Sequence, residues 1–433
     1  MIRIVHFADL HLGVENYGRL DPETGLSSRV RDFLDRLDEL VNFALAEQVD
    51  VVAFAGDAFK SRFVDPTYQR DFARRMAKLA HAGIQVVLVA GNHDLPAMLV
   101  KATTLDIFRA LDVSNVHVVA RRGELLRLEL PGGRVLQVAA YPYLVRSRLL
   151  LDESKRQMTL REQEDYIRDR VAAELQELAA QVDRQHPAIF VGHLMVLGAV
   201  VGSEKGLTLG PVPDATPATV ARPEYDAVLL GHVHHGQVLR DAQPPMLYSG
   251  TLERVDFGDE GVAKGFYLVE IDETQPAPRP VTYRLVPVQA RTFLTLEVDT
   301  RRKRKDVDVM ALAEKVVEKA RQQGRLSGAV VRLRLRVREQ EARQVDAQAL
   351  RRELAADAFY VAGVQVEVEQ AERVAARGVP VAGLNPLEAL ERFWVGRGVP
   401  EKRRERLLEM AGTLLAETRQ QQAARGENAE PGE

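Results

Sequence analysis

Five short apolar segments of this chain each end in side chains that can bind a metal ion. The segments and these residues are IRIVHFADLH (Asp9, His11), VDVVAFAGD (Asp57), VVLVAGNHD (Asn92, His93, Asp94), AIFVGH (His193) and YDAVLLGHVH (His232, His234). Apolar runs without polar alternation predict strands that are covered on both faces. In α/β sheets, binding sites form at the carboxyl ends of strands. The pattern therefore predicts an α/β chain whose strand ends form one site.

Each of these turns also has a simpler interpretation. In GNHD, for example, Asn92 and Asp94 are common turn formers, and His93 could be an ordinary surface residue. A single such turn does not decide between the two interpretations. Because the same arrangement occurs five times in one chain, the metal site is the favoured one.

The ligand types indicate which metals the site would bind. Seven candidate ligands exceed what one tetrahedral ion needs but suit two adjacent ions with a shared ligand; they are Asp9, His11, Asp57, Asn92, His193, His232 and His234. The chain has no cysteine, so the donors are nitrogen and oxygen, which suit Mn²⁺, Fe²⁺ or Zn²⁺, with Mg²⁺ a further option. Asp57, on a central strand, is the expected bridge because a carboxylate can reach two ions.

A pair of such ions is suited to hydrolysis of phosphate esters, because together they activate water and hold phosphoryl oxygens. His93 follows the ligand Asn92 and is not needed as a ligand itself. It could stabilise transition-state charge or protonate the leaving oxygen, with Asp94 orienting its ring. The alternative is that His93 only packs beside the ligands.

Composition excludes several classes of protein. No apolar run approaches the roughly 18–20 residues of a membrane span, and the N-terminus lacks a signal-peptide pattern, so a cytoplasmic chain is expected. Gly-Lys-Ser/Thr is absent, which argues against ATP binding by a P-loop. The net charge of −3 means that any nucleic-acid contact needs local basic patches or bound cations.

The chain is predicted to have four parts. Residues 1–290 alternate strands and helices, including helices at 29–47 and 67–81, and contain all the candidate ligands. Residues 291–375 predict a small α/β accessory domain, residues 376–419 a helical segment, and residues 420–433 a disordered tail. The basic run at 301–305 could be a solvated surface or could contact phosphates. The C-terminal helices could dock on their own domain or bind a partner.

The ordered set Asp-x-His, Gly-Asp, Gly-Asn-His-Asp, Gly-His and Gly-His-x-His resembles the signature of calcineurin-like metallophosphoesterases. That resemblance implies a two-sheet β-sandwich flanked by helices. ADLHLG, AGDAF and YSGTLERVDFGDE further resemble SbcD-type DNA repair exonucleases, and NPLEALERFW resembles their segment that docks on an SbcC-type ATPase.

The resemblance also implies how the ligands divide between the ions. One Mn²⁺ would take Asp9, His11, Asp57 and His234, and the other Asp57, Asn92, His193 and His232, with His93 as the catalytic histidine. It implies a homodimer that works with an SbcC-like ATPase on DNA ends, and on both double- and single-stranded DNA. One departure is Lys60, because some relatives have a second active-site histidine at that position.

Three functions are therefore compared. The leading hypothesis is a DNA nuclease subunit that depends on Mn²⁺. A small-molecule or phosphoprotein phosphoesterase could use the same ligands, but would not need the two C-terminal parts. A DNA-end-binding scaffold with incidental hydrolysis is the third, and the complete ligand set argues against it.

Overall fold

The computed structural model describes residues 1–96, 101–145, 149–150, 155, 158–202, 215–301, 307–369, 386–396 and 399–426. The strands are β1 (Ile2–Phe7), β2 (Val51–Phe54), β3 (Gln85–Val89), β4 (Val116–Val119), β5 (Glu124–Leu130), β6 (Arg134–Tyr141), β7 (Ala188–His193), β8 (Ala227–Gly231), β9 (Gln237–Arg240), β10 (Met246–Tyr248), β11 (Gly265–Ile271), β12 (Val281–Pro287), β13 (Phe293–Asp299), β14 (Val330–Arg338) and β15 (Tyr360–Glu369). The helices are α1 (Ser28–Ala46), α2 (Pro66–His81), α3 (Asp106–Ala110), α4 (Leu160–Ala180), α5 (Pro217–Val220), α6 (Val309–Gln322), α7 (Glu339–Ala342), α8 (Ala347–Ala355), α9 (Pro386–Gly396) and α10 (Glu401–Gly426).

Two six-stranded sheets form the N-terminal part of the chain. The first has the order β12-β11-β1-β2-β3-β4 and the second the order β5-β6-β7-β8-β10-β9. Strands β1 to β4 run parallel, as do β6, β7, β8 and β10. The predicted two-sheet sandwich flanked by helices is confirmed.

The central strands are largely apolar because they contribute to two cores. On β3, Val86 and Leu88 pack in the cluster that contains the buried faces of α1 and α2, while Val87 and Val89 pack between the two sheets. A third core lies on the outer face of the second sheet and includes Ile167 and Leu175 of α4. Burial on both faces explains why these strands show no alternation.

The two predicted N-terminal helices are confirmed as α1 and α2, and each begins at a side-chain cap. The Ser27 hydroxyl accepts from the Arg29 N–H, and Asp65 caps α2, where Pro66 takes the first helical position. Both helices therefore begin beside the loops that follow β1 and β2, which contain several candidate ligands.

A third sheet, of order β13-β14-β15, is formed by strands of the predicted second part of the chain, with α6 and α8 between them in sequence. The described residues group into two compact units. One comprises Met1–Val298, Asp308–Leu335 and Asp346–Val366, and the other comprises Asp299–Val307, Arg336–Val345 and Glu367–Glu433. The four-part division at 290, 375 and 419 stays a prediction.

Some predicted features fall wholly or partly outside the described residues. Of the basic run at 301–305, Arg301 is described, and its guanidinium donates two hydrogen bonds to Asp299. Residues 302–306 of that region, residues 376–385 and 397–398 of the predicted helical segment, and residues 427–433 of the predicted tail lie outside them. Among the described helices, none is long and apolar enough to cross a membrane.

Candidate metal centre

The turns that follow β1 and β2 run side by side at one edge of the first sheet. The Asp9 N–H donates to Gly56 O at 2.8 Å, and the His11 N–H donates to Asp57 O at 3.0 Å. Asp9, His11 and Asp57 all have positive φ, between 47° and 61°. Positive φ is uncommon for residues other than glycine, and such conformations concentrate at functional sites. The turns therefore point three candidate ligands into a small volume.

Two glycines in these turns are required by close packing. A Cβ on Gly91 would lie 2.1 Å from Asp57 Oδ1, and one on Gly56 would lie 2.3 Å from His193 Nδ1. Gly56 also has a φ of +98°, which an L side chain rarely adopts. The glycines that precede Asp57 and Asn92 thus allow the ligand turns to approach one another closely.

One group of candidate ligands contains Asp9, His11 and His234. Each offers one ligand atom, and these atoms lie within 4.8 Å of one another. His11 Nε2 and His234 Nε2 are only 2.9 Å apart, and all three side chains are buried. Two imidazole nitrogens at this separation fit a shared cation, as expected for adjacent ligands of one ion.

A second group contains Asn92, His193 and His232. Asn92 Oδ1 lies 3.1 Å from both His193 Nε2 and His232 Nδ1, which are 3.3 Å from each other. Ligand atoms about 2.1 Å from one cation are separated by roughly 3.0–3.4 Å in octahedral or tetrahedral geometry. The triangle therefore has the dimensions of one face of a metal coordination shell.

Asp57 lies between the two groups. Its Oδ2 is 3.4 Å from His193 Nε2 and 3.8 Å from His11 Nε2. Its Oδ1 accepts from the His93 N–H at 2.8 Å, which fixes the rotation of the carboxylate. The structure thus brings together all seven side chains that the sequence singled out, with Asp57 in the position of a bridge.

The charge states of these side chains also suit cations. Burial lowers the pKa of both His232 and His234 to about 3, so their rings are neutral at pH 7 and can donate lone pairs. Burial opposes charge on His193 as well, but the Asp57 carboxylate outweighs it and raises the His193 pKa to about 9. A divalent cation would replace the proton that Asp57 attracts there.

Backbone contacts fix the tautomer of two of the histidines. His193 Nδ1 lies 2.7 Å from Ala55 O, and His93 Nδ1 lies 2.6 Å from Lys60 O. A carbonyl oxygen can only accept, so in both rings Nδ1 donates its hydrogen to the backbone and Nε2 is the nitrogen left for other partners. For His193 this presents the nitrogen that faces Asn92 and Asp57.

The prediction that Asp94 orients the His93 ring is wrong. The Asp94 carboxylate is fully buried and accepts from the backbone N–H groups of Asp57, Ala58 and Gly91 and from the Thr104 hydroxyl. Burial and the Asp57 charge raise the pKa of Asp94 to about 6. Asp94 therefore joins the ligand turns to each other, and the Lys60 carbonyl orients His93.

Two residues that the sequence did not single out also contact the centre. The ring of Tyr143 lies 5.7 Å from that of His232 and 6.1 Å from that of His193, measured between centroids. The buried Lys264 ammonium donates to His234 O at 3.2 Å. Tyr143 follows the carboxyl end of β6, so its place in the sequence could have predicted that it lies near the site. No comparable sequence pattern pointed to Lys264.

Comparison with known proteins identifies the family. The sequence model of the calcineurin-like phosphoesterase family matches residues 2–236, which is more than half of the chain. The chain belongs to the calcineurin-like phosphoesterase family. The matched range contains all seven candidate ligands, and it also includes His93 and Asp94.

Several curated relatives are named as the SbcD subunit of the nuclease SbcCD, and the predicted resemblance to SbcD-type proteins is confirmed. The protein from Bacillus subtilis (strain 168) is 28% identical over 279 residues, and that from Escherichia coli (strain K12) is 29% identical over 280 residues. Each match covers 62% of this chain, and they cover 66% and 64% of those relatives, just under two thirds of their length.

Solved structures of other proteins also match part of this chain. A dimetal phosphatase from Danio rerio is 13% identical with a TM-score of 0.33, and the match covers 62% of this chain and 92% of that one. A protein from Thermus thermophilus is 15% identical with a TM-score of 0.33, and the match covers 66% of this chain and 98% of that one. At these scores neither structure supports an argument about this protein.

Proposed function

We propose that this chain is the nuclease subunit of a DNA-processing complex and hydrolyses phosphodiester bonds at DNA ends with two divalent cations. The observation that carries the proposal is the pair of ligand groups that share Asp57, in a family member similar to proteins named as the SbcD subunit of the nuclease SbcCD. The physiological role would be the processing of double-strand breaks.

The proposed ligands follow the two groups. Asp9, His11 and His234 would hold one cation, and Asn92, His193 and His232 the other, with Asp57 shared. Mixed nitrogen and oxygen ligation supports Mn²⁺ as the proposed metal, with Mg²⁺, Fe²⁺ and Zn²⁺ as alternatives. When bound, two such cations activate water and neutralise charge on the phosphoryl oxygens.

His93 is proposed as the catalytic histidine. Its Nδ1–H is held by Lys60 O, and its ring lies 4.9 Å from that of His11, edge to face. The ring is half-buried, so Nε2 can meet a substrate oxygen. In this position it would stabilise charge on the phosphoryl group or give a proton to the leaving oxygen.

The C-terminal helices are proposed to bind an SbcC-like ATPase. Phe393 and Val395 of α9 are each 51% exposed, and Met410 of α10 is 57% exposed. Exposed apolar side chains on a helix fit helix-in-groove binding. The 291–375 part is proposed to face DNA, although arginines of β14 such as Arg334 are paired with carboxylates such as Glu297. A homodimer is also proposed.

The first test is incubation of the purified chain with 5′- and 3′-labelled duplex and single-stranded DNA in Mn²⁺, Mg²⁺ or EDTA. His93→Ala runs beside the wild type, and His81→Ala, on the exposed side of α2, is the matched control. Cleavage that needs metal, is lost in His93→Ala and is retained in His81→Ala supports the proposal.

Hydrolysis of a small phosphodiester without any cleavage of DNA has two explanations. Either the ATPase partner is required or the substrate is a different phosphoester. Addition of the partner separates these explanations, and continued absence of DNA cleavage in its presence refutes the nuclease proposal.

A further inference from the structure

The loop between β2 and α2 presents an unusually exposed aromatic ring. Phe63 is 86% exposed, the highest value among the large apolar side chains of the described residues. Its neighbours Ser61, Arg62 and Asp65 are exposed and polar, while Val64 packs against the core cluster that contains α1 and α2, so polar residues flank the ring along the exposed part of the loop. A protein interface normally buries a cluster of apolar side chains. The isolated ring instead suits a flat ligand that stacks on it.

The loop is anchored at both ends. The Lys60 N–H donates to Leu12 O at 3.0 Å, and Lys60 O accepts from His93 Nδ1 at 2.6 Å. At the other end, the Asp65 carboxylate caps α2 by accepting from the Thr67 N–H at 2.7 Å. The backbone of the loop that carries Phe63 is therefore held beside the proposed catalytic histidine.

The loop also presents positive charge. Lys60 and Arg62 are exposed, and within the described part of the chain no carboxylate forms an ion pair with either of them. Phe63 is three residues beyond Lys60, so their Cα atoms are at most about 11 Å apart. At a rise of roughly 3.4 Å per base, this distance corresponds to about three stacked nucleotides.

We propose that Phe63 is a stacking platform for a base of an unpaired DNA strand, and that Lys60 and Arg62 bind the phosphates on either side. The inference rests on the proposed nuclease function and adds how the substrate strand is held. Aromatic rings beside cations are the features with which proteins bind single strands without reading their sequence. In a paired end the bases already stack on each other, so unpaired ends gain most from the contact.

The test compares kcat/KM for single-stranded DNA with kcat/KM for bis(4-nitrophenyl) phosphate, both in Mn²⁺. In Phe63→Ala the ratio is expected to fall about 10-fold, because stacking on one aromatic ring contributes roughly that factor to binding. Phe63→Trp should keep the ratio, since it keeps a stacking face. Leu111→Ala is the matched control, because Leu111 is 67% exposed at the end of α3 and should leave the ratio unchanged.

A binding measurement completes the test. Single-stranded DNA containing 2-aminopurine, mixed with the protein in EDTA, should lose fluorescence on wild type and Phe63→Trp but not on Phe63→Ala. An unchanged ratio in Phe63→Ala overturns the stacking role while leaving the nuclease function intact. A changed sedimentation mass in Phe63→Ala also overturns it, because the ring would then be a contact between copies of the chain. A wild type that hydrolyses the small diester but does not cleave DNA even after addition of the ATPase partner overturns both proposals.

Discussion

Replacement of Lys264 by methionine tests whether buried hydrogen bonds next to the ligand His234 stabilise the fold and the metal centre. Lys264 lies just before β11, and its side chain is 1% exposed. Its ammonium donates to Asp259 Oδ1 at 2.7 Å, to Thr251 Oγ1 at 2.6 Å and to His234 O at 3.2 Å. Methionine has a similar length and keeps the packing while removing all three hydrogen bonds and the charge.

The cost of this change follows from what is left behind. The Asp259 side chain is only 6% exposed and would keep one hydrogen bond, from the Val255 N–H at 2.9 Å, without its cation. Removal of one partner of a buried ion pair typically costs about 3–5 kcal/mol. Burial lowers the pKa of Lys264, which means that the charged pair itself carries a desolvation cost. The double variant Lys264→Met/Asp259→Asn should therefore recover roughly 2 kcal/mol of the loss.

The assay is urea unfolding of the metal-free proteins, followed by circular dichroism, together with titration of Mn²⁺. Lys264→Met should also bind Mn²⁺ about 10-fold more weakly, because the carbonyl of the ligand His234 loses a donor that orients its loop. Lys78→Met is the matched control, since Lys78 is exposed on α2 and contacts only the Asn42 side chain among described groups. A loss of stability below about 1 kcal/mol in Lys264→Met, or a double variant no more stable than the single one, would refute the reasoning.

Three further predictions concern the core and the ligands. His6 is fully buried, and burial lowers its pKa from 6.5 to about 4. As the pH falls from 6.5 to 4, the free energy of unfolding of wild type should therefore decrease by about 3 kcal/mol more than that of His6→Gln. Urea unfolding measures both decreases, and equal decreases would contradict this prediction. Tyr143→Ala should weaken Mn²⁺ binding about 10-fold by calorimetry while Tyr143→Phe does not, and equal effects of both would show that the ring does not support His232. Mn²⁺ at 100 times its Kd should stabilise wild type by about 2.7 kcal/mol for each bound cation in thermal unfolding, with a smaller gain in Asp57→Asn, and an equal gain would exclude Asp57 as a ligand.

Much of the site could be predicted because its residues follow strands with a clear sequence pattern. Asp9, Asp57, Asn92 and His193 each come directly after an apolar run, and parallel strands place such residues at one edge of a sheet. The limits of α1 and α2 were also predictable to within a residue or two, since Ser27 and Asp65 are strong helix caps.

The rest depends on contacts that leave no pattern in the sequence. Asp94 is adjacent to His93, so a direct interaction was a reasonable expectation, but its carboxylate turns toward the backbone of Asp57 and Ala58, 37 and 36 positions earlier. Lys264 contacts residues 5, 13 and 30 positions away in the chain. Such interactions arise only when segments distant in the chain fold together, and no periodicity of a single segment records them.

The most direct test of the two-cation centre is anomalous X-ray scattering from crystals grown with Mn²⁺. The account predicts two peaks about 3.5–4 Å apart. One peak should lie between His11 and His234, the other between His193 and His232, and both should be within bonding distance of Asp57. A single peak, or two peaks of which only one contacts Asp57, would contradict the account.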